Sequence, residues 1–436
     1  MKKLALAFIT LAVAATSQAT DLKSVFEQAV SNDPQLAAEL ASARANAQSV
    51  GIARVGILPQ VAFQAKTGTT TLDDGVQDLD GVETESTSYG IELTQAIIGA
   101  EAWYSYEAGG SATDSSIFEL RKAEQSMVVR SAEAYFDVLR ANATLASAKA
   151  TETAVKRQLE QTQQRFKVGL IAITDVHEAQ SIYDNATVGL IEAETQLDIA
   201  YESLAVLTGT RYDRINPLKD EIPLLGPVPA DRTHWEQKAL AQNLDVLIAE
   251  KTGLSAEQNH RSKIAAHMPT LDLKASYGVS NDEAGITSNA DDLTRTYVGL
   301  ELNLPIYLGG SQWSGQKQAY YQRQAAEQQL ELTQRQASLS VRSLYRQLEA
   351  DVARIKARNQ AMTSARSAME ATQTGYEVGT RNIVEVLDAQ TSVFSAQQNY
   401  AYARFDYVID LLKFRQSVGE LSTADIDEVN SWLLKK

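Results

Sequence analysis

Arg165-Phe-Lys-Val-Gly-Leu-Ile-Ala-Ile-Thr-Asp-Val176 and Gly375-Tyr-Glu-Val-Gly-Thr-Arg-Asn-Ile-Val-Glu-Val386 are two versions of one segment, 210 residues apart. The same offset pairs Leu58-Pro59 with Met268-Pro269, Phe63, Ala65 and Gly68 with Leu273, Ala275 and Gly278, and Gly209 with Gly419. Two helical stretches of similar composition would not also match their glycines and prolines, so the chain reads as a tandem duplication. Each version of the segment carries a glycine, Gly169 or Gly379, where a heptad pattern breaks off. Glycine tolerates the positive φ that a chain needs to leave one helix and start back along another. The two segments therefore read as the turns of two helix hairpins, serving either as plain caps or as hinges.

Working outward, none of the eight prolines lies between residues 60 and 216 or after 305. Proline inside a helix costs about 3 kcal/mol, so these gaps are where long helices can run. Val341, Leu348, Ile355, Met362, Met369 and Tyr376 recur every seven residues, echoed in the first copy by Val138, Leu145, Leu159 and Phe166. Past the break, Val176, Tyr183, Leu190, Leu197 and Leu204 repeat the spacing beside an alanine seam at Ala179, Ala186, Ala193 and Ala200. This is coiled-coil periodicity. Trp103 to Val168 alone predicts a rod of roughly 100 Å at about 1.5 Å per residue. Asp33-Pro34 reads as an N-cap followed by proline at the first helical position.

Four alternating segments lie between the helices: Val61, Phe63 and Ala65; Ile91 and Leu93; Leu271, Leu273, Ala275, Tyr277 and Val279; and Leu300, Leu302 and Leu304. They predict four strands of about ten residues, the length of a tilted transmembrane strand. The acidic stretches Asp73, Asp74, Asp78, Asp80, Glu83 and Glu85, and Asp282, Glu283, Asp291 and Asp292, read as the connections between them. Four strands cannot close a barrel, and an open edge in lipid leaves backbone groups unpaired at several kcal/mol each. A barrel must then be shared between chains. Two chains give about eight strands and a lumen filled by side chains; three give about twelve and an open pore.

The chain opens with Lys2 and Lys3, an apolar run from Leu4 to Val13, and the small-x-small site Ser17-Gln18-Ala19. That pattern predicts a cleavable signal peptide over 1–19 and a mature start at Thr20. Its apolar run is too short to span a bilayer as a helix, and no later stretch is long enough either, so a mature chain that enters lipid does so as strands. Without a single cysteine the chain has no disulfides, thiol nucleophiles or thiolate metal ligands. Loss of Lys2 and Lys3 takes the net charge from −15 to −17, the wrong sign for binding nucleic acid. The expected layout is 1–19 signal peptide, 20–209 first repeat, 210–231 proline-bearing linker, 232–419 second repeat and 420–436 a short C-terminal tail.

The heptad hairpins, the strand pairs, Leu304-Pro-Ile-Tyr-Leu-Gly-Gly310 and Tyr376-Glu-Val-Gly-Thr-Arg-Asn-Ile-Val-Glu-Val-Leu-Asp388 together resemble the TolC family of outer-membrane efflux and secretion channels. The resemblance covers essentially the whole mature chain. The short tail after Gly419 departs from members with extended C-terminal features, which puts their equatorial region in doubt here. The family implies an α+β membrane protein: a homotrimer whose twelve-stranded barrel, four strands per protomer, sits among outer-membrane lipid and continues into a periplasmic α-helical coiled-coil tunnel. It also implies docking to a periplasmic adaptor protein and an inner-membrane efflux or ABC transporter, and transport without a cofactor or enzymatic step.

Carried over by residue match, Gly169 and Gly379 become the turns at the tunnel tip. Gln164, Thr174 and Asp175 of the first copy, with Tyr376 and Arg381 of the second, become a network that holds the tip shut. Arg381, with five donors in a planar fork, is suited to clamp Asp175 or a carbonyl of a neighbouring coil. Glu385 and Asp388, three apart on one helix face, become a ring of six carboxylates in a trimer that favours cations. His177 beside Asp175 and Glu178, and the pair His260 and His267, lack metal-ligand spacing, so no metal is expected. No phosphate loop or nucleophile elbow is present in the sequence. A periplasmic coiled-coil spacer would account for the heptads but not for the four alternating segments. A hydrolase using Glu385 and Asp388 as acid and base would need a globular pocket the pattern does not supply.

Overall fold

The computed structural model describes residues 20–72, 82–284 and 293–434. The signal peptide and Asp73, Asp74, Asp78, Asp80, Asp291 and Asp292 lie outside the described residues. The elements run α1 (Leu22–Asn32), α2 (Pro34–Asn46), α3 (Ser49–Ala53), a 3-10 turn (Arg54–Ile57), β1 (Gln60–Leu72), β2 (Val82–Ile98), α4 (Ala100–Lys167) and α5 (Ile173–Thr208). The series then repeats as α6 (Arg232–Gln242), α7 (Leu244–Ala265), β3 (Thr270–Ala284), β4 (Leu293–Asn303), α8 (Ser311–Glu377) and α9 (Ile383–Val418), with α10 (Thr423–Ser431) at the end. The repeat is visible in element lengths: α4 and α8 have 68 and 67 residues, and α5 and α9 have 36 each.

The chain divides into two compact units, each drawing on both repeats: one holds 1–39, 123–243 and 337–436, the other 40–122 and 244–336. The first unit has the apolar core. Leu22 and Val25 of α1, Tyr135, Phe136 and Val138 of α4, Val341 and Leu348 of α8, and Val408 and Leu412 of α9 are all essentially inaccessible. Val341, Leu348 and Ile355 are three successive members of the seven-residue series, so the heptad stripe is the face that packs. Asp33 caps α2 as expected: its carboxylate accepts the Gln35 and Leu36 amides, and Arg130 Nη2 lies 2.5 Å from its Oδ2. The segment read as a short tail forms α10, whose Ile426 and Val429, with Trp432 and Leu433 beyond it, close the same core.

The second unit holds the sheet. Its order is β1-β2-β3-β4, antiparallel throughout, and the pairing of β2 with β3 joins the two repeats. The register places Val61, Phe63 and Ala65 opposite Leu93, Ile91 and Tyr89, which in turn face Ala275, Tyr277 and Val279. Leu271, Leu273 and Ala275 stand opposite Leu302, Leu300 and Val298. Directly paired side chains point the same way, so the four alternations merge into one apolar face. The opposite face is polar, with Lys274 and Glu301 paired at 2.8 Å.

The strands differ from the sequence reading at their outer ends. They run 13, 17, 15 and 11 residues. Glu83 and Glu85 belong to β2, and Asp282 and Glu283 to β3, where Glu85 stands opposite Glu283. The backbone ladder continues through Val82-Glu-Thr-Glu-Ser-Thr-Ser88 with no apolar alternation to announce it. Leu304 falls just past β4, where Pro305 has no N–H to donate to a ladder.

Candidate functional site

The duplicated segments form two five-residue connections, 168–172 between α4 and α5 and 378–382 between α8 and α9. Gly169 and Gly379 both have φ of 77°. In the first, the Gly169 amide donates to Phe166 O and the Leu170 amide to Arg165 O; in the second, Gly379 donates to Tyr376 O and Thr380 to Gly375 O. These paired bonds terminate a helix around a left-handed residue and satisfy carbonyls its last turn leaves open. A Cβ at either glycine would meet open space, so it is backbone conformation alone that selects glycine.

The two turns part company where the next helix begins. Asn382 caps α9: its side chain accepts the Glu385 amide at 2.9 Å, and Glu385 Oε1 accepts the Asn382 amide at 3.5 Å, a reciprocal capping box. The other oxygen of Glu385 receives Arg381 Nη1 at 2.6 Å. The guanidinium beside it, and then the Asn382 amide, hold the Glu385 carboxyl below the usual carboxylate range. In the first copy Ala172 occupies the cap position without a side-chain bond, and Thr174 Oγ1 donates to Asp175 Oδ1 at 3.4 Å.

The structure thus distributes the residues singled out by sequence. Within the protomer Arg381 lies on Glu385 rather than on Asp175. Gly375 makes room for it: a Cβ there would come within 2.8 Å of Arg381 Cγ. Tyr376 bridges the copies, because the Arg165 guanidinium stacks over its ring at 5.3 Å. Gln164 supplies its carbonyl to the Val168 amide at the end of α4. Asp388 is exposed one turn beyond Glu385, while Val386 and Leu387 between them are buried, so the two acids turn away from the packed face of α9. That packed face lines a groove of about 780 Å³ with Tyr376 of α8 and Lys149 and Arg157 of α4.

Sequence reasoning overlooked Asn382 and Arg165. Asn382-Ile-Val-Glu385 is a capping-box pattern and was legible. The Arg165 stack was not, because it joins residues 211 apart whose contact depends on how two helices lie together.

Comparison with known proteins adds three findings. The profile of the family described as "Outer membrane efflux protein" matches residues 25–210 and again 235–420. Outer membrane protein TolC of Vibrio cholerae is 35% identical over 99% of this chain and 99% of its own, and alkaline protease secretion protein AprF of Pseudomonas aeruginosa is 28% identical over 93% and 85%. The crystal structure of the Campylobacter jejuni CmeC outer membrane channel superposes with a TM-score of 0.78 at 16% identity, covering 95% of this chain and 90% of that one.

Proposed function

The chain belongs to the outer membrane efflux protein family, and on that premise we propose that three copies form a continuous exit duct whose inner end is gated at the two glycine turns. The protein is an outer-membrane channel for efflux and secretion. The observation that carries the trimeric reading is the four-stranded sheet. Its apolar face includes Val61 and Phe63 at 67% exposure and Leu302 at 69%, and β1 and β4 remain its open edges. Lipid covers such a face, and edge pairing between copies satisfies the remaining backbone groups.

At the inner end, Arg381 is the switchable link. A guanidinium carries five N–H donors, more than Glu385 alone can use, and the Glu385 contact fixes where the rest point. In the trimer those donors reach acceptors on a neighbouring coil, Asp175 among them, while Glu385 and Asp388 supply a carboxylate ring. The lowered pKa of Glu385 keeps it ionised further into acid than an ordinary carboxyl, which supports cation preference. Val168, Leu170 and Val378, at 70%, 72% and 70% exposure, crown the two turns and offer an apolar seat for a periplasmic adaptor that brings an inner-membrane transporter into line. The duct guides cargo without catalysing a reaction.

The test is single-channel recording in planar bilayers at low salt. Wild-type protein is expected to show a small, cation-selective conductance, larger in Arg381→Ser. Three exposed ion pairs at up to about 1 kcal/mol each shift the closed-to-open ratio by about 160-fold at most. Identical conductance in the two proteins refutes the Arg381 clamp, and no conductance from inserted protein refutes the duct.

A further inference from the structure

Asp351 is fully inaccessible and sits on the core-facing stripe of α8 between Leu348 and Ile355. Its Oδ1 accepts from Gln347 Nε2 at 3.1 Å and pairs with Arg354 Nη1 at 2.9 Å. Its Oδ2 is buried with no donor. A carboxylate oxygen in that position is costly, since burial strips its water and nothing replaces it. Asp410 of α9, itself a carboxyl, is also in hydrogen-bonding reach of the Asp351 side chain.

The surroundings give Asp410 no relief. Around a polar cavity of about 410 Å³, Lys413 is taken by Glu133 of α4 at 2.6 Å, and Arg140 of α4 by Asp406 at 2.8 Å. Asp137 of α4 also faces the cavity, and Tyr407 of α9 lies within electrostatic reach of Asp351. Four carboxyls, Glu133, Asp137, Asp406 and Asp410, thus line the cavity with two cations, Arg140 and Lys413, while Asp351 has Arg354. Two adjacent carboxylates cannot both ionise cheaply under these conditions, and one proton placed between them supplies the donor that Oδ2 lacks. The chain also contains the apolar alternative. At the 210-residue offset the first copy has Ala141 and Ala200 in the corresponding positions, so the helix joint needs no acid for packing.

We propose that Asp351 and Asp410 form a proton-binding site that clamps α8 to α9 through a single shared proton, present only in the second repeat. Burial, and then the Asp410 carboxyl, push Asp351 up to about 7. A carboxyl whose folded-state value lies above its unfolded one favours the folded state most below the unfolded value, near pH 4, and that contribution fades as pH rises through the folded value. The joint is therefore tight in mildly acidic surroundings and loosens as pH rises past about 7. The donor set suits a proton better than a metal ion, since no group of three or more His, Asp or Glu among the described residues has metal-holding geometry.

Infrared spectroscopy of the full-length protein in detergent, exchanged into D2O, reads the shared proton as a protonated-carboxyl band at about pH 6. The band is expected in wild type, lost in Asp351→Asn and in Asp410→Asn alike, and retained in Asp137→Asn, the control for the neighbouring carboxyl that burial also raises. The melting temperature of wild type is expected to fall between about pH 5 and pH 8, with a flatter profile in either of the first two variants. A wild-type spectrum without the band, or a band that survives both Asp351→Asn and Asp410→Asn, overturns the proposal. Loss of the band in Asp137→Asn alone moves the proton to a different carboxyl and overturns it too.

Discussion

Removing the side chain of Asn382 tests whether the second turn is held by the box that caps α9. Asn382→Ala deletes the acceptor 2.9 Å from the Glu385 amide and leaves Ala where the first copy already has Ala172. Loss of an N-cap costs about 0.5–2 kcal/mol, and water can reach this exposed turn, so the working value is about 1 kcal/mol. Local opening at that cost multiplies amide exchange about five-fold at Glu385 and its neighbours. The assay is hydrogen exchange with peptide-level mass spectrometry, comparing 382–388 with 172–178 as the internal control. The Arg381 contact gives the effect a pH signature. Glu385 has a lowered folded-state pKa, so its contribution is present above its unfolded value and is lost as pH falls through the lower folded one. Glu385→Gln should therefore match wild-type exchange only in strong acid. Unchanged exchange at 382–388 in Asn382→Ala, or an increase spread evenly over the core, would refute a local cap.

Two further substitutions probe the packing that carries the hairpins. Gly419→Ala introduces a Cβ 2.2 Å from Gln242 O at φ of 87°, so a left-handed penalty of about 1 kcal/mol is joined by a backbone clash that cannot relax by rotamer change. Folded yield should collapse, while Gly209→Ala, whose nearest neighbour is the Asn32 side chain at 3.3 Å, should lower the melting temperature only modestly. Tyr135→Phe removes a fully buried hydroxyl that donates to Asn216 O at 2.7 Å, leaving that carbonyl short of a donor for about 1–2 kcal/mol, measurable by thermal unfolding.

What the sequence disclosed depended on which interactions have a period. The heptads announced α4, α5, α8 and α9, because a stripe such as Val341, Leu348 and Ile355 repeats with its packing contacts. The inner halves of the strands were legible for the same reason, through alternation at Val61, Phe63 and Ala65. Their outer ends were not, since a ladder of Thr, Ser and Glu is held by backbone bonds that carry no side-chain pattern. Helix α10 is only nine residues, too short for periodicity to separate from a loop. At the turns, Gly169 and Gly379 stood out because positive φ selects one residue type. The contact that Arg381 makes within the protomer was less legible, since an i,i+4 pair with Glu385 on an exposed turn has no pattern that sets it apart from other surface charges.

The two copies share the hairpin turn and its helices but differ in polarity at a few positions. Both have the glycine, its pair of terminating hydrogen bonds and a 36-residue return helix. In the second copy, positions held by Ile171, Ala172, Ala141 and Ala200 in the first become Arg381, Asn382, Asp351 and Asp410. None of these replacements is needed to build a hairpin, because the first copy builds one without them. Each introduces a group whose preferred partner can be changed by pH, by salt or by a neighbouring chain. Under the proposed gating, these replacements assign the fixed wall to the first hairpin and the responsive closure to the second. Under that reading, the Arg165 stack on Tyr376 is the contact that ties the second hairpin to the first. An exposed cation–π contact is worth about 0.5–1 kcal/mol, enough to bias the second hairpin toward the first without locking it there.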